Sequence, residues 1–155
     1  MSEIKDLESY TLELYSFLLR EFGLKKPRIK RDSGITTIYY LSKLIAIEIE
    51  LDWREADIFV LVTKLENENL PGGYYMWKGK RYRLYIEDVL KILSIEGTNK
   101  LVESIITNRK KGGRTKKAME ERIAAYKQLL LISIDRIINE GVSVFEKYVD
   151  PIDRL

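Results

Sequence analysis

The chain has 155 residues, of which 45% are hydrophobic and 33% are charged, and its formal net charge is +3. This length is typical of one folded domain, and the composition lacks the polar bias of a disordered chain. The absence of cysteine and histidine excludes disulfides, thiolate metal sites and imidazole-based catalysis. We therefore expect a protein that is not an enzyme and needs no cofactor.

The first element in chain order is an N-terminal helix. Ser2 is a suitable N-cap, apolar residues recur at helical spacing up to Leu18, and Gly23 fits a left-handed helix stop. Acids in the first ten positions do not suit a signal peptide, and no apolar run is long enough to cross a bilayer. We expect a cytoplasmic protein without a membrane segment.

Residues 35–65 predict an antiparallel three-stranded meander. The run 35–41 is rich in β-branched and aromatic residues, and residues 58–65 are apolar on both faces, as in a covered strand. Between them, residues 44–51 alternate. Isoleucines occupy one face, and Glu48 and Glu50 occupy the other. This pattern predicts a half-buried strand with one face in water.

Residues 74–85 predict a β-hairpin whose turn is Lys78-Gly79. Strand alternation places Lys80 on one face and Arg81 and Arg83 on the other, so the cations are divided between two faces. A surface that stacks single-stranded nucleic acid needs its aromatic residues together on one exposed face. We therefore favour a structural hairpin with extended cationic side chains over a nucleic-acid reader.

The remaining chain is helical by pattern. Short helices are expected from Ile86 or Glu87 and from Thr98, and a long one from about Thr115 to Asn139, which Gly141 should end. We predict one α+β domain over 1–155. Its N-terminal helix and a sheet of four to five strands (meander plus hairpin) occupy 1–93, and the helical part, 98–155, packs on them.

The apolar run Leu129–Ile132 in the long helix exceeds what one buried stripe requires. Two explanations are open: the run is fully enclosed, or this helix forms a homodimer.

Charge is unevenly distributed, with net −3 over 1–77, +8 over 78–117 and −2 over 118–155. The densest part of the positive segment is residues 109–117, with six cations in nine residues. Cations at the start of the long helix oppose its dipole, and a bound phosphate would relieve that conflict. A solvated loop is the other interpretation. Nucleic-acid binding would use Lys80, Arg81, Arg83, Arg109, Lys110, Lys111, Arg114, Lys116 and Lys117.

An acidic edge is predicted where the meander turns. Glu48, Glu50 and Asp52 share one face at intervals of about 7 Å, and Trp53 follows. Parallel carboxylates do not converge on one ion, so we expect no metal there. The edge is either a solvated face that discourages strand pairing or a docking surface for a cationic partner protein. Docking through these four residues is our first functional hypothesis, and nucleic-acid binding is the alternative.

Three segments together carry a resemblance: FLLREFGL (17–24), IYYLSKLIAIEIELDWREADIFVLVTKL (38–65) and the following loop with Pro71. They resemble a loose group of small bacterial α+β proteins, some of which are thought to be immunity-type proteins that neutralise toxins. The resemblance covers roughly residues 1–90. It implies a protein partner, and the group has no catalytic motif to transfer.

Overall fold

The computed structural model describes residues 2–72, 74, 76–77 and 80–148. Their helices and strands, in chain order, are α1 (Ser2–Leu14), α2 (Phe17–Arg20), β1 (Arg28–Asp32), β2 (Ile35–Leu41), β3 (Ile45–Asp52), β4 (Asp57–Lys64), β5 (Met76–Trp77), β6 (Lys80–Arg81), β7 (Arg83–Tyr85), α3 (Ile86–Ile92), α4 (Asn99–Lys111) and α5 (Lys116–Lys147). This is an α+β fold, as the sequence predicts.

One antiparallel sheet organises the molecule, in the order β1-β2-β3-β4-β7. Strands β2, β3 and β4 form the predicted meander, in which Glu48 pairs with Tyr39 on one side and Leu61 on the other. β1 is an edge strand that pairs with β2 alone among the described residues. It arises from the basic segment that follows the left-handed stop at Gly23, whose φ is 72°.

The predicted hairpin divides into two parts. Met76 pairs with Arg81 and Trp77 with Lys80, which forms a separate two-stranded ribbon, while the expected turn at Lys78-Gly79 lies outside the described residues. Arg83–Tyr85 leaves the ribbon and pairs with β4 in the main sheet. Expecting one continuous hairpin strand from residue 80 to residue 85 was therefore wrong, because Tyr82 separates two different pairings.

Helices cover one face of the sheet. α5 continues through Gly141 to Lys147, so the prediction that Gly141 ends this helix was wrong. Gly141 is buried against β3, where an added Cβ would lie 3.5 Å from Ile45 Cγ2. The helix therefore continues through the glycine where it packs on β3, and there is room for a Cβ at this position. The first helix also differs from expectation, because it is interrupted at Tyr15–Ser16 before α2 begins.

The main hydrophobic core lies between these helices and the sheet, and α1, the meander, α3 and α5 all contribute to it. Both faces of β3 are buried almost throughout, contrary to the expectation of one wet face. A smaller cluster around Leu41, Ala46 and Leu65 lies on the second face. Within the described residues, none of the helices has the length and apolar character needed to cross a membrane.

Candidate interaction surface

The acidic edge is largely buried. Glu48 is 1% exposed, and its carboxylate pairs with Arg83, which is 5% exposed, with Nε 2.9 Å from Oε2. The Thr63 hydroxyl also donates to Glu48, and Arg83 Nη1 donates to the carbonyl of Tyr74 at 2.7 Å. Expecting solvent contact for Glu48 and Arg83 was wrong. The alternation pattern could not show that a basic strand residue would cover the acidic one.

Burial raises the pKa of Glu48 above its usual value, while Arg83 and Thr63 act in the opposite direction. The pair is therefore an internal structural contact, although Arg83 also borders a cleft beside β1. The predicted acidic edge therefore loses Glu48, and the predicted nucleic-acid-binding surface loses Arg83.

The other three residues of the acidic edge also have internal roles. Asp52 is 9% exposed, and its Oδ1 accepts from the backbone N–H groups of Arg54 and Glu55 at 3.0 and 3.2 Å. The Trp53 indole N–H donates to Thr36 Oγ1 at 2.9 Å. Glu50 is half-buried and accepts a hydrogen bond from the Tyr74 hydroxyl. These contacts close the β3–β4 turn and fix the adjoining segments, so the expectation of a solvated Asp52 was wrong, while docking of a partner through these residues stays a prediction.

We call residues 109–117 the basic tract. Its first residue, Arg109, pairs with groups inside the fold. Arg109 Nε lies 2.8 Å from Asp57 Oδ2, and Arg109 Nη2 donates to the carbonyl of Ile58 and to the Tyr126 hydroxyl. A second guanidinium, Arg122, is 1% exposed and has its Nε 3.6 Å from Asp57 Oδ1. Asp57 thus faces two cations, and it joins β4 to both α4 and α5.

Two further cations of the tract pair with acids elsewhere in the chain. Arg114 lies 3.4 Å from Glu55, and Lys116 lies 3.2 Å from Asp6. Lys110, Lys111 and Lys117 are exposed, and within the described residues none of them is in an ion pair. The predicted phosphate-binding loop therefore retains three of its six cations for an external anion.

The two cations of the β5–β6 ribbon are separate from that loop. Lys80 is exposed. Arg81 Nε donates to the carbonyl of Arg83 at 3.1 Å, and its guanidinium lies 5.1 Å from the centre of the Tyr148 ring. Tyr148 follows the C-terminal end of α5, whereas residues 109–115 precede its start and Lys116 and Lys117 are its first two residues. The structure therefore places the ribbon cations and the loop cations at opposite ends of this helix.

A different set of cations is exposed together. All five residues of β1 are exposed, and Lys25 and Lys26 just before it are exposed as well. We call the five basic residues of this stretch the cationic edge: Lys25, Lys26, Arg28, Lys30 and Arg31. Among the described residues, only Arg31 of this set forms an ion pair. The cationic edge therefore presents four uncompensated charges along the free side of the sheet.

The turn end of β1 is fixed by a chain of hydrogen bonds. Arg31 donates to both carboxylate oxygens of Glu8, at 3.1 Å from Nε and 2.7 Å from Nη2, and Thr36 donates to Glu8 Oε1 at 2.9 Å. Since Trp53 donates to Thr36, the chain links α1 to the β3–β4 turn. The hydrogen bond from Arg31 lowers the pKa of Glu8, which keeps the carboxylate ionised.

A cleft lies on each side of the sheet beside β1. The first, of about 460 Å³, is on the helix side near the turn end of β1, and Ile4, Arg31 and Trp53 are among its walls. The second, of about 410 Å³, is on the opposite face and is lined by Arg28, Lys30, Tyr39, Tyr74 and Arg83, among others. The strand register also places the second cleft on the face of the sheet that carries Glu48, because Arg28 pairs with Tyr39 and Tyr39 pairs with Glu48.

We missed the cationic edge in the sequence because it lies within a segment of net negative charge. Residues 25–31 hold five cations in seven positions, a density above that of residues 109–117. Averaging over 1–77 concealed this run. A seven-residue charge window would have identified it, although only the fold shows that the run lies on a sheet edge.

Compared with known proteins, the chain matches no family model, no curated protein and no solved structure. The resemblance to immunity-type proteins therefore stays a prediction. A proposal about function must therefore be argued from the structure of this chain alone.

Proposed function

We propose that this protein is a non-enzymatic binding protein that docks an acidic surface of a partner protein through its cationic edge. The observation that supports this most is that every residue of β1 is exposed and that four cations in and just before this strand have no ion-pair partner in the described chain. Charge complementarity of this kind steers association and suppresses wrong partners. The proposal keeps the protein-docking hypothesis but reverses the sign of the surface.

Internal neutralisation elsewhere supports the choice of surface. Acids of the β3–β4 turn are paired with the basic tract, as in Asp57 with Arg109 and Glu55 with Arg114. Glu48 is enclosed with Arg83. Charges that are paired within the fold attract an external partner weakly, since their fields largely cancel. The cationic edge is where positive charge remains uncancelled along one continuous element.

Nucleic-acid binding through the 78–117 tract is the second candidate, and the exposed trio Lys110, Lys111 and Lys117 favours it. Its support is weaker. Three of the six loop cations are paired with acids, and the ribbon cations lie at the other end of α5. A phosphate-binding surface gains its affinity from many cations on one side.

Two matched charge reversals test the proposal. The edge variant carries Lys26→Glu, Arg28→Glu and Lys30→Glu, and the control carries Lys110→Glu, Lys111→Glu and Lys117→Glu, so both change the net charge from +3 to −3. Immobilised wild-type protein and the two variants are exposed to an extract of the source cells, with and without nuclease treatment, and captured proteins are compared quantitatively. We expect acidic proteins captured by the wild type and the control to be lost from the edge variant.

Three results would contradict the proposal. Equal capture by all three proteins would show that the cationic edge is not the contact. Loss only in the control would move the site to the tract around residue 110. Capture that disappears with nuclease treatment would identify a nucleic acid as the partner, and its salt dependence would then measure the number of phosphates contacted.

A further inference from the structure

The free side of β1 carries backbone groups as well as charge. In the described chain β1 has β2 on one side and no strand on the other. Such an edge accepts an extended segment of another chain, whose main chain supplies the missing ladder of hydrogen bonds. We propose that the acidic partner binds by adding a β-strand to the free side of β1. This inference rests on the proposed function and names its binding mode.

The cleft on the face opposite the helices selects acidic side chains. Arg28 and Lys30 stand at its rim, and the Arg83 guanidinium lies at its floor, held by Glu48 and by the carbonyl of Tyr74. Side chains of an added strand alternate between the faces, and those on this face would lie about 5 Å from Arg28 and Lys30. Carboxylates at the two alternate positions opposite Arg28 and Lys30 would therefore meet one cation each, whereas the third residue of β1 on this face is Asp32.

The cleft on the helix side selects apolar side chains. Ile4, Ile35 and Trp53 form half-buried walls, and the Glu8 carboxylate is already bonded on both oxygens by Arg31 and Thr36. The other carboxylate of the lining, Asp32, would repel an acidic side chain. Of the cations that line this cleft, Arg31 is bonded to Glu8 and Lys5 is exposed to water, so a carboxylate that enters would gain little for the water it loses, whereas an apolar side chain would cover the half-buried walls. The partner strand should therefore alternate acidic and apolar residues.

Charge decides against two other occupants. A second copy of this chain would bring one cationic edge against another, since residues 25–32 hold five cations and one acid. A nucleic-acid strand has phosphates for the cations, but a phosphodiester backbone accepts hydrogen bonds without donating them. It would leave the outward carbonyls of β1 without donors, whereas a peptide strand satisfies both kinds of group.

The test uses a capped nonapeptide, Glu-Phe-Glu-Val-Glu-Val-Glu-Phe-Glu, and the complete protein. Its affinity is compared with that of the same peptide N-methylated on neighbouring central residues, which blocks both of its edges without changing its charge. Because several main-chain hydrogen bonds are lost, we expect the N-methylated peptide to bind at least about tenfold more weakly. Amide hydrogen exchange should also slow at alternate residues of β1 when the unmodified peptide binds.

Two further peptides test the side-chain pattern. A scrambled peptide with its five glutamates contiguous should bind about tenfold more weakly than the alternating one, because a misplaced residue faces the wrong cleft. A peptide with lysine at each glutamate position should bind the Arg28→Glu, Lys30→Glu variant and not the wild type. This exchange distinguishes pairing at these two residues from general attraction.

The outcomes separate the two proposals. N-methylated and unmodified peptides of equal affinity would overturn strand addition, and so would failure of the alternating peptide to bind at millimolar concentration in low salt. Neither result would affect docking of a folded acidic surface, which the capture experiment tests through Lys26, Arg28 and Lys30. Equal binding of the scrambled peptide would overturn the assignment of acidic and apolar positions.

Discussion

At the scale of single residues, the Glu48–Arg83 pair shows how a charge can be structural. Both side chains are almost completely enclosed, and Thr63 and the Tyr74 carbonyl complete their hydrogen bonds. Taking two ions out of water is costly, and their attraction offsets the cost only while both are present. Removing one leaves the other buried without a counter-charge.

Arg83→Met should therefore lower the free energy of unfolding by about 3–5 kcal/mol, as for other broken buried pairs. The matched control is Arg114→Met, in the exposed pair with Glu55, and should cost less than about 1 kcal/mol. Urea denaturation of both variants measures the difference. Equal losses of unfolding free energy would show that burial does not make the Glu48–Arg83 pair contribute more than the exposed Glu55–Arg114 pair.

The stability of the Arg83→Met variant relative to the wild type should also depend on pH, and the sign of this dependence follows from the pKa of Glu48. Burial raises the pKa of Glu48 and Arg83 counteracts it, so the methionine variant should have a still higher Glu48 pKa in the folded state. A carboxyl whose pKa is higher folded than unfolded destabilises the fold as pH rises through the folded value. The deficit relative to wild type should therefore be smallest in acid and grow toward neutral pH.

At the scale of elements, Gly141 lies within a helix that the sequence predicts to have ended. Glycine often marks a helix end because it readily adopts the left-handed backbone conformation, but the φ of Gly141 is not positive. It is buried beside Ile45, and packing overrides its low helix propensity. Tertiary contacts of this kind cannot be read from local sequence.

Gly141→Ala should raise the free energy of unfolding by about 0.5–1 kcal/mol, because the new Cβ would be 3.5 Å from Ile45 Cγ2, an ordinary contact. Gly112→Ala provides the opposite case: its Cβ would fall 2.8 Å from both the Asn108 carbonyl oxygen and Ala118 Cβ. We expect that substitution to cost about 1–3 kcal/mol. Thermal melting measures both, and a stabilised Gly112→Ala would contradict this geometry.

Local pattern predicted most elements correctly. The meander over residues 35–65, the start of the long helix near Thr115 and the left-handed Gly23 follow from residues close in sequence. The division at Tyr82 and the continuation through Gly141 depend on partners far along the chain. Periodicity also placed Glu48 on a wet face, because it cannot register that Arg83, 35 residues later, returns to cover it.

At the scale of the whole molecule, the fold brings acidic and basic segments that are separate in the sequence into contact with each other. We expected a negative sheet rim and a positive helical lobe, and that expectation is wrong where the two meet. Asp57 at the start of β4 contacts Arg109 of α4 and the buried Arg122 of α5. Sequence segments of opposite sign are thus attached to each other, and a continuous run of uncompensated positive charge is left on the cationic edge.

Asp57→Asn should lower the free energy of unfolding by about 3 kcal/mol, because Arg122 and Arg109 would lose their shared carboxylate. The loss should be local at first, with faster amide hydrogen exchange in α4. Asp6→Asn makes the same chemical change in the exposed pair with Lys116 and should cost less than about 1 kcal/mol. Unchanged exchange in α4 would show that Asp57 does not hold this helix to the sheet.

The exposed edge strand gives the molecule an unusual freedom. No side chain of β1 is buried, so replacing its residues other than Arg31, which pairs with the buried Glu8, should disturb folding little, typically within about 0.5 kcal/mol for surface positions. Affinity for a ligand could therefore drift or be redesigned at this strand while the core behind it stays intact. A protein built in this way can exchange one target for another without first acquiring a compensating stabilising change.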